Sequence, residues 1–166
     1  MAAKKTSTKT GKKNVRAVPK GYSTVTATMN QADAAATIAF CKKAFGAKVR
    51  SKMPAPGGKI MHAEVEIGGS VVMVSDAMME PPRVSSLFLY VDNADKTFAK
   101  AVKAGATPKM PVMDMFWGDR FGSVTDPAGN IWAIATHVEN VKPDELKKRH
   151  KRAMKDMAAG QAPEKR

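Results

Sequence analysis

One order of signals occurs twice in this chain and leaves little freedom for its fold: a strand, a helix, then three strands. In the first copy, residues 23–29 are rich in β-branched side chains and read as a strand. Asp33 offers an N-cap, Ala34, Ile38, Cys41 and Phe45 fall on one helical face, and Gly46 stops the helix. Residues 48–53 form a second strand, a Pro/Gly turn over 54–58 reverses the chain, 59–67 alternates, and 70–75 follows a Gly68-Gly69 turn. In the second copy, 85–91 is a strand, and Asp92 and Asn93 open a helix with Ala94, Phe98, Ala101 and Val102 inward. Gly105 closes that helix, and strands follow at 107–112, 121–125 and 131–136. The result is an α+β chain of two βαβββ units, residues 23–76 and 84–137, joined by a linker rich in Met and Pro. The repeat lies in pattern rather than residue identity, and two such units can pair their sheets around a shared concave face.

The sharpest local signal is the hairpin Asp126-Pro127-Ala128-Gly129. Proline fixes φ early in the turn, and glycine accepts positive φ where the chain reverses. Beyond it, Ile131, Ala133 and Ala135 alternate with Trp132, Ile134 and Thr136, so this strand is expected to be buried on both faces.

Charge has to be located before it means anything. The net charge is +13, but residues 1–20 hold seven basic side chains and no acid, and residues 138–166 hold nine basic and five acidic ones. The middle, 21–137, is close to neutral, with 12 basic and 10 acidic residues. Residues 1–20 have too little to bury to offset their ordering entropy and are expected to be disordered, either a solubilising arm or an electrostatic one for nucleic acid. From Pro143 the pattern turns helical and basic, with a thin stripe of Leu146, His150, Ala153, Met154 and Met157. That helix can dock, bind an acidic surface or fray, and the chain from Gly160 is expected to be disordered. No apolar run approaches the roughly 20 residues of a membrane span. One cysteine excludes an internal disulfide, and a cytoplasmic location is expected.

With the repeat and the hairpin go three short stretches: Ala39-Phe40-Cys41-Lys42-Lys43-Ala44-Phe45-Gly46-Ala47, Met61-His62-Ala63-Glu64 and Trp117-Gly118-Asp119-Arg120. Together they resemble the vicinal oxygen chelate superfamily of glyoxalases, extradiol dioxygenases, fosfomycin-resistance enzymes and bleomycin-resistance proteins, over residues 21–139. The resemblance implies sheets curled into half-open barrels, completed as a homodimer. It also implies four His/Glu metal ligands in the enzymes, and these positions fall here on Thr26, Met73, Ser86 and Ala133. None is a usual ligand for a divalent ion, and no neighbour one residue away restores one. The expectation is therefore a scaffold without metal or other cofactor.

What remains is a lining. Thr26, Met73, Phe88, Tyr90 and Ala133 share the inward face, and Phe116, Trp117 and Arg120 overhang the sheet mouth. Arg120 can hold an anionic or planar ligand, or fix a turn by pairing with Asp119. The leading reading is a metal-free, dimeric protein that sequesters a small ligand, as bleomycin-resistance proteins do. The alternative is a lyase or dioxygenase-like enzyme with a displaced metal or acid–base site at His62 and Glu64. A third is weak, nonspecific nucleic-acid association through the basic tails.

Overall fold

The computed structural model describes residues 15–160. The expected disorder of residues 1–14 and 161–166 lies outside the described residues.

Each half follows the same path. The first runs β1 (Ala27–Gln31), α1 (Ala34–Phe45), β2 (Lys48–Pro54), β3 (Ile60–Ile67) and β4 (Ser70–Asp76). The second runs β5 (Ser86–Tyr90), α2 (Ala94–Lys103), β6 (Thr107–Asp114), β7 (Asp119–Thr125) and β8 (Ile131–His137). The helix α3 (Pro143–Ala158) follows. The sheets have orders β1-β4-β3-β2 and β5-β8-β7-β6. In each, the first strand lies parallel to the fourth and the other neighbours are antiparallel, because only the helix-bearing crossover can join parallel strands. Both sheets are open, and the fold is α+β.

The repeat extends to the way the helices are held. Asp33 caps α1 through the Ala36 N–H at 2.8 Å, and Asn93 caps α2 through the Lys96 N–H at 2.8 Å. The end of each fourth strand reaches the same helix terminus. Asp76 accepts the Ala34 N–H at 3.0 Å and the Ile60 N–H at 2.6 Å, while Thr136 accepts the Ala94 N–H at 2.8 Å. α1 ends where Gly46 takes φ +67, a left-handed cap that glycine adopts without strain.

One apolar core serves both halves. Met29, Ala63, Val65, Val72 and Val74 on the first sheet and Val124, Trp132 and Ile134 on the second enclose α1 and α2. Trp132 is fully buried with its ring 4.8 Å from Phe45 of α1, so the first unit's helix packs on the second unit's sheet. Its indole N–H donates to Asp126 at 2.9 Å. Asp126 also accepts from Asn130, whose amide donates at 2.7 Å to Gln31 of β1. That chain of buried, mutually satisfied groups clips the hairpin of one unit to the first strand of the other.

Three expectations change. Residues 23–26 are not strand: the Thr26 hydroxyl donates to the Ser23 carbonyl at 3.1 Å, a local bond that competes with the ladder, and β1 starts at Ala27. β7 begins at Asp119, two residues before the expected start. β8 is not fully buried on both faces: Trp132 and Ile134 are covered on one, while on the other Ile131 and Ala133 stay half-buried and Ala135 is buried. The reason is that α1 and α2 both pack on the core side with Trp132 and Ile134, leaving the opposite face of the strand without either helix.

Candidate functional site

Strand alternation decides what the open face of the second sheet carries. Tyr90 of β5 is opposite Ala135 of β8, which is opposite Phe121 of β7, and His137 is opposite Asp119. All point away from the helices. Phe88 lies 5.0 Å from Tyr90 and 5.6 Å from Phe121, Trp117 lies 5.9 Å from Phe121, and Phe116 lies 5.0 Å from Trp117. These ring contacts make one aromatic wall. It is open to solvent, with Phe88 51 % and Tyr90 66 % exposed. Beyond Phe116 the wall meets α3 through His150 at 5.6 Å, and Arg149 anchors that helix by a two-pronged bond to Glu139 at 2.8 and 2.9 Å.

Asp119 fastens the wall. Only 3 % exposed, it accepts from the Tyr90 hydroxyl and the Trp117 indole at 3.0 Å each, and from His137 Nδ1 at 2.8 Å. Burial pushes its carboxyl up, but the three donors outweigh burial and hold it below the ordinary aspartate range. The same carboxylate raises the His137 imidazole, with a further contribution from Asn140. It also raises the Tyr90 phenol.

The expected site residues are divided by this geometry. Phe88, Tyr90, Phe116, Trp117 and Ala133 come together on or beside the wall. Arg120 does not: one residue from Asp119 along a strand, it points to the helix side. There it grips Asp95 of α2 at 2.5 and 2.6 Å and Asp114 of β6 at 3.0 Å. Its role is an ion-pair clamp from β7 to α2, so neither a pair with Asp119 nor an open anion site describes it. Met73 belongs to the other sheet, where it is paired with Thr28, and Thr26 lies outside both sheets, just before β1.

The positions implied for a metal offer a hydroxyl at Thr26, a thioether at Met73, a hydroxyl at Ser86 and a methyl at Ala133. That donor set does not fit a divalent ion of the His/Glu kind. Among the described residues, no three His, Cys, Asp or Glu side chains converge as a metal site requires. On the first sheet, His62 Nε2 lies 3.9 Å from Glu64, which is paired with Met73 across the ladder. The Tyr22 phenol beside Glu64 holds that carboxyl below its ordinary range. Cys41 is buried in the core and burial pushes its thiol up to about 12, so it is a packed apolar group rather than a nucleophile. A polar cleft of about 420 Å³ lies where the linker crosses β1, lined by Thr28, Asn30, Ser75, Arg83 and Ser85 among others.

Asp119, Phe121 and His137 are the residues that sequence reasoning undervalued. The signal was present: a hairpin closed between Asp126 and Asn130 puts Asp119 opposite His137 by simple counting.

Known proteins place the scaffold. A 36 % identical, uncharacterized protein of Mycobacterium tuberculosis, Rv0887c, aligns over 126 residues, 69 % of this chain and 74 % of its own length. YjdN of Escherichia coli is 35 % identical over 89 residues, 51 % of this chain and 60 % of its own. Among solved structures, TioX from Micromonospora sp. ML1 superposes with a TM-score of 0.61 at 25 % identity, over 70 % of this chain and 99 % of that one. A glyoxalase/bleomycin resistance protein/dioxygenase from Nocardioides shares the fold, with a TM-score of 0.55 at 20 % identity over 73 % and 87 % of the two chains. A family model covers residues 24–134, and with two βαβββ units around one core the chain belongs to the Glyoxalase/Bleomycin resistance protein/Dioxygenase superfamily.

Proposed function

We propose that this chain is a metal-free small-molecule-binding protein of the bleomycin-resistance kind, acting in the cytoplasm as a homodimer that sequesters a planar, partly apolar ligand. The observation that carries the reading is the aromatic wall from Phe88 to Phe116, left open to solvent while a buried carboxylate fixes Tyr90 and Trp117. Flat rings held rigid lose little entropy on binding, and stacking favours planar partners. The faces of the two sheets turned away from α1 and α2 are the ones that a second copy would bring together.

The test combines native mass spectrometry with ligand screening by tryptophan fluorescence. The expected result is a dimer, with planar compounds quenching the indole signal and Phe88→Ala and Trp117→Ala each weakening binding about tenfold or more, on the order of 1.4 kcal/mol. A stoichiometric divalent ion with lyase or dioxygenase activity that chelators abolish would overturn it. A second reading draws on the 3.9 Å approach of His62 to Glu64 on the other open face. Metal retained by the purified protein and lost in His62→Ala would favour an enzyme with a displaced site.

A further inference from the structure

The aromatic wall ends in a His–Asp pair, His137 beside Asp119. His137 closes β8 on the open face with its side chain 52 % exposed, while the Asp119 behind it is 4 % exposed. Nδ1 faces the carboxylate at 2.8 Å, so the nitrogen left toward solvent is Nε2. A buried carboxylate on one imidazole nitrogen raises the proton affinity of the other and fixes the ring's orientation. Nε2 meets the Asn140 side-chain oxygen at 3.0 Å. In the neutral ring Nδ1–H donates to Asp119 and Nε2 keeps its lone pair, while a proton gained at Nε2 makes the imidazolium, which donates on both sides. Asn140 is exposed on the loop after β8, and its oxygen occupies the place an incoming ligand oxygen would take.

We propose that His137, backed by Asp119, is the proton acceptor of this face, holding a planar ligand that carries a weakly acidic hydroxyl, phenol or enol, as its anion. The inference rests on the wall being the ligand surface. In the step itself, the ligand O–H bond breaks, the oxygen keeps the electron pair, and the proton resides on Nε2. The bound pair is imidazolium and oxyanion, and no other reactant is needed. Asn140 yields its position to the ligand oxygen. Other charges facing the imidazole are accounted for. Tyr90 of β5 donates to Asp119, Glu139 of the following loop is held by Arg149 of α3, and His150 of α3 lies against Phe116. Arg120 points to the opposite side of the sheet.

4-Nitrophenol serves as a probe because its anion is coloured and its neutral form is not. It is titrated into the full chain at a pH where the free phenol is mostly protonated, with absorbance and tryptophan fluorescence read together. The wild type should quench and turn the bound probe yellow. In His137→Gln the quench should persist while the anion fraction falls about tenfold, the equivalent of one pKa unit. Asn140→Ala should raise the anion fraction. Quenching without colour in the wild type, or equal colour in His137→Gln, overturns the proton-acceptor role and leaves the wall as a binding surface. Absence of any quench, unchanged in Phe88→Ala, overturns both.

Discussion

Asp119 gathers donors from three separate stretches of chain, and that gives it a sign-definite pH signature. Its carboxyl is held below the ordinary range, so its contribution to stability is present above the unfolded value of about 3.9 and is lost as pH falls through the folded one. His137 is raised, so its share is full below the unfolded value of about 6.5 and is lost as pH rises through the folded one. Thermal midpoints measured across pH should therefore decline on the alkaline side of the imidazole range in the wild type. That alkaline decline should be absent in His137→Gln, and an unchanged profile in the variant would remove the pair from the account. At Cys41, the opposite balance holds. A thiol pushed up to about 12 in a closed core should resist a thiol reagent in native buffer and react only on unfolding, checked by mass spectrometry with and without denaturant. Residue chemistry was only partly legible beforehand. Asp119 and Arg120 are neighbours in sequence and suggest a turn pair, yet alternation along β7 sends them to opposite faces. The partner that decides Arg120, Asp95, lies on α2, where no local pattern reveals it.

Helix starts, the Gly46 stop and the succession of strands along the chain could be read from the sequence because their causes are local: caps, turn residues and period-two alternation. The ties between elements could not. Asp76 and Thr136 look like ordinary strand ends, but each binds the first turn of its unit's helix. Asp76→Ala removes two charge-assisted bonds to buried N–H groups and is expected to cost about 2–4 kcal/mol. Thr136→Val, which removes a neutral one, should cost about 1–2 kcal/mol. A scanning calorimeter would register these as midpoint losses of roughly 2–4 °C per kcal/mol, and equal losses would mean that charge does not matter at these ends. Between β7 and the loop after β8, Gly118 sits at φ +98, and its carbonyl accepts the N–H groups of Val138 and Glu139. A Cβ there would crowd the Glu139 carbonyl and meet Val141 at 3.0 Å. Gly118→Ala should therefore displace Glu139 and loosen the Arg149 anchor of α3. Backbone strain of about 1–3 kcal/mol would accompany it, and faster amide exchange in α3 is the readout that distinguishes this from a general loss of stability.

At the scale of the molecule, the body is near neutral and the ends are basic. α3 is pinned by Arg149 to Glu139 and Glu145, and Lys147, Lys148, Lys151 and Lys155 are all exposed along it. A rigidly mounted lysine face attracts polyanions without reading sequence, because a point charge on a flexible stem lacks the bidentate geometry of base recognition. Binding to duplex DNA should accordingly be weak, indifferent to sequence and steeply salt-dependent. Each phosphate neutralised contributes a slope of about −0.9 in the logarithm of affinity against that of salt. Replacing the four lysines with alanine should reduce the magnitude of that slope by up to roughly 3–4. The aromatic wall lies outside this effect, so planar-ligand binding in the quadruple variant should be unaltered. A slope unchanged by the four substitutions would move any DNA contact away from α3. Affinity independent of salt would remove electrostatic association altogether and leave the positive charge with a purely solubilising part.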